Sequence, residues 1–191
     1  MTQKAKHTEH TVKINRAPVL TLWAAVVAER LGFEHTEALS LGRAVAGLNA
    51  YTKGVSLGLF TPTPKKVKEQ RQRLHTDTAC TVELLHRTVP VQQTEAGLRA
   101  FSGNRPISSE SVQRYLESKF GEALDEVYEA MVHLAKSHPP TKLAAEAYHL
   151  YEQFRPQVPA GTRGWGAAGV LSLEQLRRLA KAPASRARRH G

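Results

Sequence analysis

The amino-acid sequence predicts a mainly α-helical protein with one small β-hairpin, built as a helical bundle. Three observations carry this. Apolar residues recur at helical spacing through most of the chain, Pro and Gly punctuate those stretches where helices start and stop, and only one short region is dense in Val and Thr. With 191 residues, 41% of them hydrophobic and 23% charged, the chain can bury one sizeable core or two small helical units.

Residues 1–16 read as a basic leader carrying Lys4, Lys6, Lys13 and Arg16. No apolar segment ending in a small-residue cleavage site adjoins them, which argues against a secretory signal. Residues 17–60 read as an N-terminal helical unit. Pro18 in a first turn and Gly32 as a stop predict a helix over 18–31, apolar on nearly every face through Val19, Leu20, Leu22, Trp23, Val26, Val27 and Leu31. A second helix is predicted over 36–51, with Glu37 early and Lys53 and Gly54 near its end. Its small residues Ser40, Gly42, Ala44, Ala46 and Gly47 let a neighbouring helix approach closely.

Residues 61–76 have the composition of a basic, flexible connector, with Lys65, Lys66, Lys68, Arg71 and Arg73 and only Val67 and Leu74 as large apolar side chains. Residues 77–182 then combine a hairpin with a C-terminal helical unit. Stretches 79–85 and 88–93, rich in Val, Thr and Leu, flank His86 and Arg87 as two short strands. Pro90 has no amide hydrogen to donate, which predicts an edge strand, and Cys80 is expected to be a small buried apolar residue. Ser108 or Ser109 caps a helix reaching Phe120, Gly121 interrupts, and 122–136 and 141–154 follow as helices. Ser172 with Gln175 three residues on predicts a capping box for a last helix ending near Ala182, before a basic tail over 183–191.

The formal net charge is +10, and its distribution is uneven. Residues 1–76 hold 12 basic and 5 acidic side chains, 77–176 hold 9 basic and 12 acidic, and 177–191 hold 6 basic and no acidic ones. The body is therefore nearly neutral, while the end segment (Arg177, Arg178, Lys181, Arg186, Arg188, Arg189) and the connector are cationic. Charge blocks flanking a folded body are the usual form of a nucleic-acid-binding arm, so DNA, ahead of RNA, is the expected partner, contacted mainly through phosphates. Solubility alone is the plainer reading of such charge, and anionic lipid a third. The tail has alanines and no large apolar residues between its arginines, which disfavours insertion into lipid. The longest apolar run, 17–28, is interrupted by Pro18 and Thr21 and falls short of the roughly 20 residues that span a bilayer, so no membrane contact is expected.

Within the N-terminal unit, Ala28 and Gly32 stand four apart, and Leu31, Phe33, Ala38 and Leu41 supply apolar contacts between two helices. In this respect 27–41 resembles helix-turn-helix DNA-binding proteins. The resemblance covers about a tenth of the chain and implies that the second helix reads the major groove; Thr36, Glu37, Ser40 and Arg43 are then its candidate contacts, Arg43 the best suited. A close-packed helical hairpin explains the same spacing without DNA. Arg105, just before the helix that starts near Ser109, and Arg114 upon it are further candidate phosphate contacts. Arg163 beside Trp165 could hold a phosphate and stack a base; the plainer reading is that Trp165 plugs the loop into the core. Gly164, Gly166 and Gly169 imitate a dinucleotide fingerprint, but no buried strand precedes them.

Glu146 and His149, and Glu129 and His133, could each share a helix face, yet a di-metal bundle needs a second Glu-x-x-His pair and two more glutamates. The sequence has no Gly-x-Ser-x-Gly elbow, Walker loop or His-Glu-x-x-His segment. Cys80 is the single cysteine, which excludes an intramolecular disulfide and a cysteine-cluster zinc site. A non-enzymatic, cytoplasmic protein with no metal or cofactor is the expectation. The rival is a protein-interaction or homo-oligomeric assembly module that pairs through the helices of 18–51.

Overall fold

The computed structural model describes residues 10–58, 61, 80–162 and 166–182. The fold is mainly α-helical with two small antiparallel sheets. Helix α1 (Arg16–Arg30) is its centre and is buried without interruption from Pro18 to Ala28. Pro18 is tolerated in the first turn because an amide there has no intrahelical acceptor to lose. Thr21, the polar member of that buried run, donates its hydroxyl to the Ala17 carbonyl at 2.9 Å.

Helix α2 (His35–Ser56) packs against α1 so closely that a Cβ on Gly42 would overlap the Thr21 carbonyl oxygen and lie 3.0 Å from the Ala25 nitrogen. The small residues read from the sequence are therefore used inside the chain. α2 runs past its predicted end at Tyr51. Lys53 and Gly54 lie within it, and Gly58, at φ +71°, supplies the left-handed stop instead.

The predicted hairpin is part of a larger sheet in the order β2-β3-β4-β5, made of β2 (Cys80–Leu84), β3 (Arg87–Thr94), β4 (Gly97–Ser102) and β5 (Arg105–Pro106). Two expectations do not hold in this sheet. β3 is interior, so Pro90 is not on an edge strand. It is accommodated because the β3–β4 pairing begins one residue later, at Val91 opposite Ala100. Cys80 is exposed rather than buried, because it opens β2, the outer strand of the sheet.

The β2–β3 turn places Leu85 and His86 at φ 49° and 58°, a conformation that favours Asn or Gly. Tertiary contacts hold it. Leu85 is buried in the core, and His86 Nε2 donates to the Ala145 carbonyl at 3.0 Å.

β4 lies over the N-terminal half of α2, and two α2 side chains complete its hydrogen bonding. Glu37 Oε1 accepts from Leu98 N at 3.0 Å, and the fully buried Ser40 Oγ accepts from Ala100 N at 2.7 Å. Ser40→Ala leaves a buried amide without an acceptor. It should lower unfolding free energy by about 1–3 kcal/mol, read from urea denaturation. An unchanged midpoint would contradict the contact.

The C-terminal elements follow the sequence closely. Ser108 caps α3 (Ser109–Phe120) by accepting from Ser111 N at 3.3 Å. A short 3₁₀ turn, Gly121–Ala123, leads into α4 (Leu124–Lys136), and α5 is Pro140–Phe154. Ser172 caps α6 (Leu173–Lys181) by accepting from Gln175 N at 3.2 Å. The short strands β1 (Thr11–Ile14) and β6 (Gly169–Ser172) pair antiparallel, from Thr11 opposite Ser172 to Ile14 opposite Gly169. Residues 10–16, read from sequence as part of a leader, therefore belong to the folded body. α1 packs against α2 on one side and α3, α4 and α5 on others, so helices from both sides of the connector share one hydrophobic core.

Candidate nucleic-acid interface

α2, α3 and the β4–β5 hairpin border a groove of about 540 Å³. α2 contributes Arg43, Ala44, Gly47 and Leu48, the sheet contributes Pro90 and Phe101 to Gly103, and α3 contributes Ser111, Val112 and Tyr115, with Ile107 closing the loop before it. The walls are largely apolar, and among the described residues no acidic side chain lines the groove.

The Arg43 guanidinium lies over the Tyr115 ring, 4.6 Å from its centroid. Such stacking contributes about 0.5–1 kcal/mol at an exposed site, and here it fixes a planar cation at the groove mouth. Arg105 stands opposite Ser102, a wall residue, in the β4–β5 pairing. Arg114 donates to Ser111 Oγ, also in the wall, at 3.5 Å. Arg43, Arg105 and Arg114, far apart in sequence, are thus brought to the walls of one groove or to residues beside them. The nearest acid along α3, Glu110, accepts from Ser108 Oγ at 2.7 Å, and that hydrogen bond leads in holding its carboxyl below the usual range.

The remaining candidates fall into two groups. On α6, Arg177 donates to Glu126 at 2.7 Å, and Arg178 pairs with Glu174 at 3.5 Å. Glu126 also faces His10 Nδ1 at 3.1 Å, and the Arg177 and His10 hydrogen bonds hold its carboxyl below the ordinary value. These ion pairs are exposed and weak, so a phosphate can compete for either arginine. Lys181 is exposed at the end of the helix. Lys65, Lys66, Lys68, Arg71, Arg73, Arg163, Trp165, Arg186, Arg188 and Arg189 lie outside the described residues.

The helix-turn-helix outline ends at the hairpin. Glu37 and Ser40 are engaged with β4, so of the four candidate reading residues only Thr36 and Arg43 are exposed. A recognition helix needs a free N-terminal face, and the sheet occupies this one. Gly166 and Gly169 also differ from a dinucleotide loop, because Gly169 opens β6 rather than a helix.

A second, smaller cavity of about 180 Å³ lies where the end of α1 meets the start of α2 and α4. There the Glu29 carboxylate sits between His35 Nδ1 at 2.8 Å and the Tyr128 hydroxyl at 2.9 Å. Burial, and then the Glu29 carboxylate, push the Tyr128 hydroxyl up to about 12, so it stays a donor at neutral pH. The shared carboxylate ties the end of α1 to the start of α2 and to α4. Among the described residues no group of three or more His, Cys, Asp or Glu is placed to hold a metal ion. Glu146 lies 3.9 Å from Lys142, and His149 lies 3.8 Å from Glu152. No helix among the described residues is long and apolar enough to cross a membrane.

The groove itself has no signature in the sequence. Gly47, Phe101, Ile107 and Tyr115 meet only through tertiary packing, and the one local hint is Tyr115 standing next to Arg114. No protein-family model, curated protein or solved structure matches this chain.

Proposed function

We propose that the protein binds nucleic acid, duplex DNA foremost, and does so mainly through phosphate contacts. The observation that carries this is the segregation of charge: a net +10 chain whose last 15 residues hold 6 basic and no acidic side chains, on a body close to neutral. A polyphosphate backbone attracts such segments before any close fit is made and releases counterions when they bind. The groove, with Arg43 in its wall and Arg105 and Arg114 beside wall residues, adds a cationic region on the body itself.

The assembly reading has less to support it. α1 is enclosed by the chain's own elements, and the Gly42 face of α2 is occupied by α1, which leaves the helices of 18–51 little small-residue surface for a second copy.

Truncation tests the role of the tail, provided α6 is spared. Leu173 and Leu176 are buried, so a cut at Arg177 removes part of a packed helix, whereas a cut after Ala182 removes only 183–191. The shorter chain should bind a DNA duplex more weakly, with a salt dependence reduced by roughly 0.9 in log–log slope for each phosphate that it no longer neutralises. An unchanged slope would remove Arg186, Arg188 and Arg189 from the interface.

A further inference from the structure

We propose that the groove between α2 and α3 accepts an unpaired nucleobase, so that the protein favours nucleic acid containing an unstacked nucleotide over an uninterrupted duplex. This rests on the nucleic-acid reading above and assigns the groove a different task from the basic arms. The arms meet phosphates, which any duplex offers. The groove is a concavity of about 540 Å³, within the usual size of a small-ligand site and too small to admit a duplex.

Its chemistry suits a base better than a phosphate run. Tyr115 and the guanidinium stacked on it at 4.6 Å present adjoining planar surfaces, and Pro90, Phe101 and Ile107 form apolar walls. Aromatic and guanidinium planes hold unpaired bases irrespective of sequence, because every base has a π-face. Among the described residues no acidic side chain lines the groove to repel the adjoining phosphodiester, and Arg105 and Arg114, beside the wall residues Ser102 and Ser111, can meet it. Charge and shape therefore select a single-stranded nucleotide over a neutral apolar ligand.

Gly47 provides the means of testing this. It is exposed, it lines the groove, and a Cβ built upon it meets nothing within 4 Å. Gly47→Leu should narrow the groove while keeping α2 helical. The experiment is fluorescence anisotropy of the full chain, at one fixed salt concentration, with three labelled DNAs: a continuous duplex, the same duplex with one bulged nucleotide, and that bulge made abasic. Intact protein should bind the bulged duplex more tightly than the continuous one by about 5- to 150-fold, the range that stacking one base supplies. The abasic bulge should lose that preference. Gly47→Leu and, separately, Arg43→Ala should reduce it at least fivefold, with circular dichroism reporting an intact fold for both. Equal binding of all three DNAs, or a preference that survives both substitutions, overturns the groove assignment and leaves phosphate binding standing. Failure to bind any of the three at low salt overturns both.

Discussion

Trp23→Ala should destabilise the protein by about 3–5 kcal/mol. Trp23 has no exposed surface and meets Phe154 edge to face, with ring centroids 5.2 Å apart. Its indole nitrogen donates to the Ala147 carbonyl at 2.8 Å. It is thus the peg by which α1 holds α5 across most of the sequence. Alanine removes the largest fully buried side chain among the described residues, leaves a cavity in its place, and deletes a donor that links α1 to the α5 backbone. Urea denaturation followed by far-UV circular dichroism measures the loss. A change below about 1 kcal/mol would mean that α1 and α5 do not share a core, since even a single buried methylene contributes about 0.8 kcal/mol.

Gly42→Ala should cost about 1–3 kcal/mol, although alanine is intrinsically the better helix former by about 1 kcal/mol. The new methyl group must overlap the Thr21 carbonyl oxygen, which belongs to the backbone of the most enclosed helix and has no room to withdraw. Gly47, five residues further along the same helix and so on a different face, makes the control. With open space at its Cβ position, Gly47→Ala should stabilise the protein by roughly the propensity difference alone. Opposite signs at the two glycines, measured by urea denaturation, are the expected result. Equal effects would mean that α1 and α2 do not approach closely at Gly42.

The features that local chemistry decides were legible in the sequence. Ser108 and Ser172 cap the helices predicted for them, because an N-cap needs only a side-chain oxygen and the next few amides. The stop after α1, the interruption at Gly121 and the proline start of α5 are equally local. Features decided at a distance were not. β1 and β6 offer four residues each and are stable only through pairing across nearly the whole chain, so neither carries a strand signal of its own. Pro90 suggested an edge because its missing amide matters only if a neighbour needs it, and the register of β4 arranges that none does. Cys80 suggested burial from residue type, whereas its exposure follows from β2 being an outer strand. Ser40 and Glu37 are candidate base contacts by sequence, and their use as acceptors for a strand follows only from the position of β4.

The candidate site follows the same division. Arg43, Arg105 and Arg114 were each visible as isolated cations, but nothing in the spacing of residues 43, 105 and 114 indicates that they adjoin one groove. Tyr115 becomes informative only when Arg43 is seen to lie upon it. The charge segregation, by contrast, is a property of the sequence alone.

Phosphate-led binding of DNA is tested by titrating the full chain against a labelled duplex across a salt series from about 50 to 200 mM. Binding is expected at the low end, with log affinity falling linearly against log salt and a loss of about 10³- to 10⁵-fold if six to ten phosphates are neutralised. No binding at the lowest salt, or an affinity that salt does not change, would contradict it.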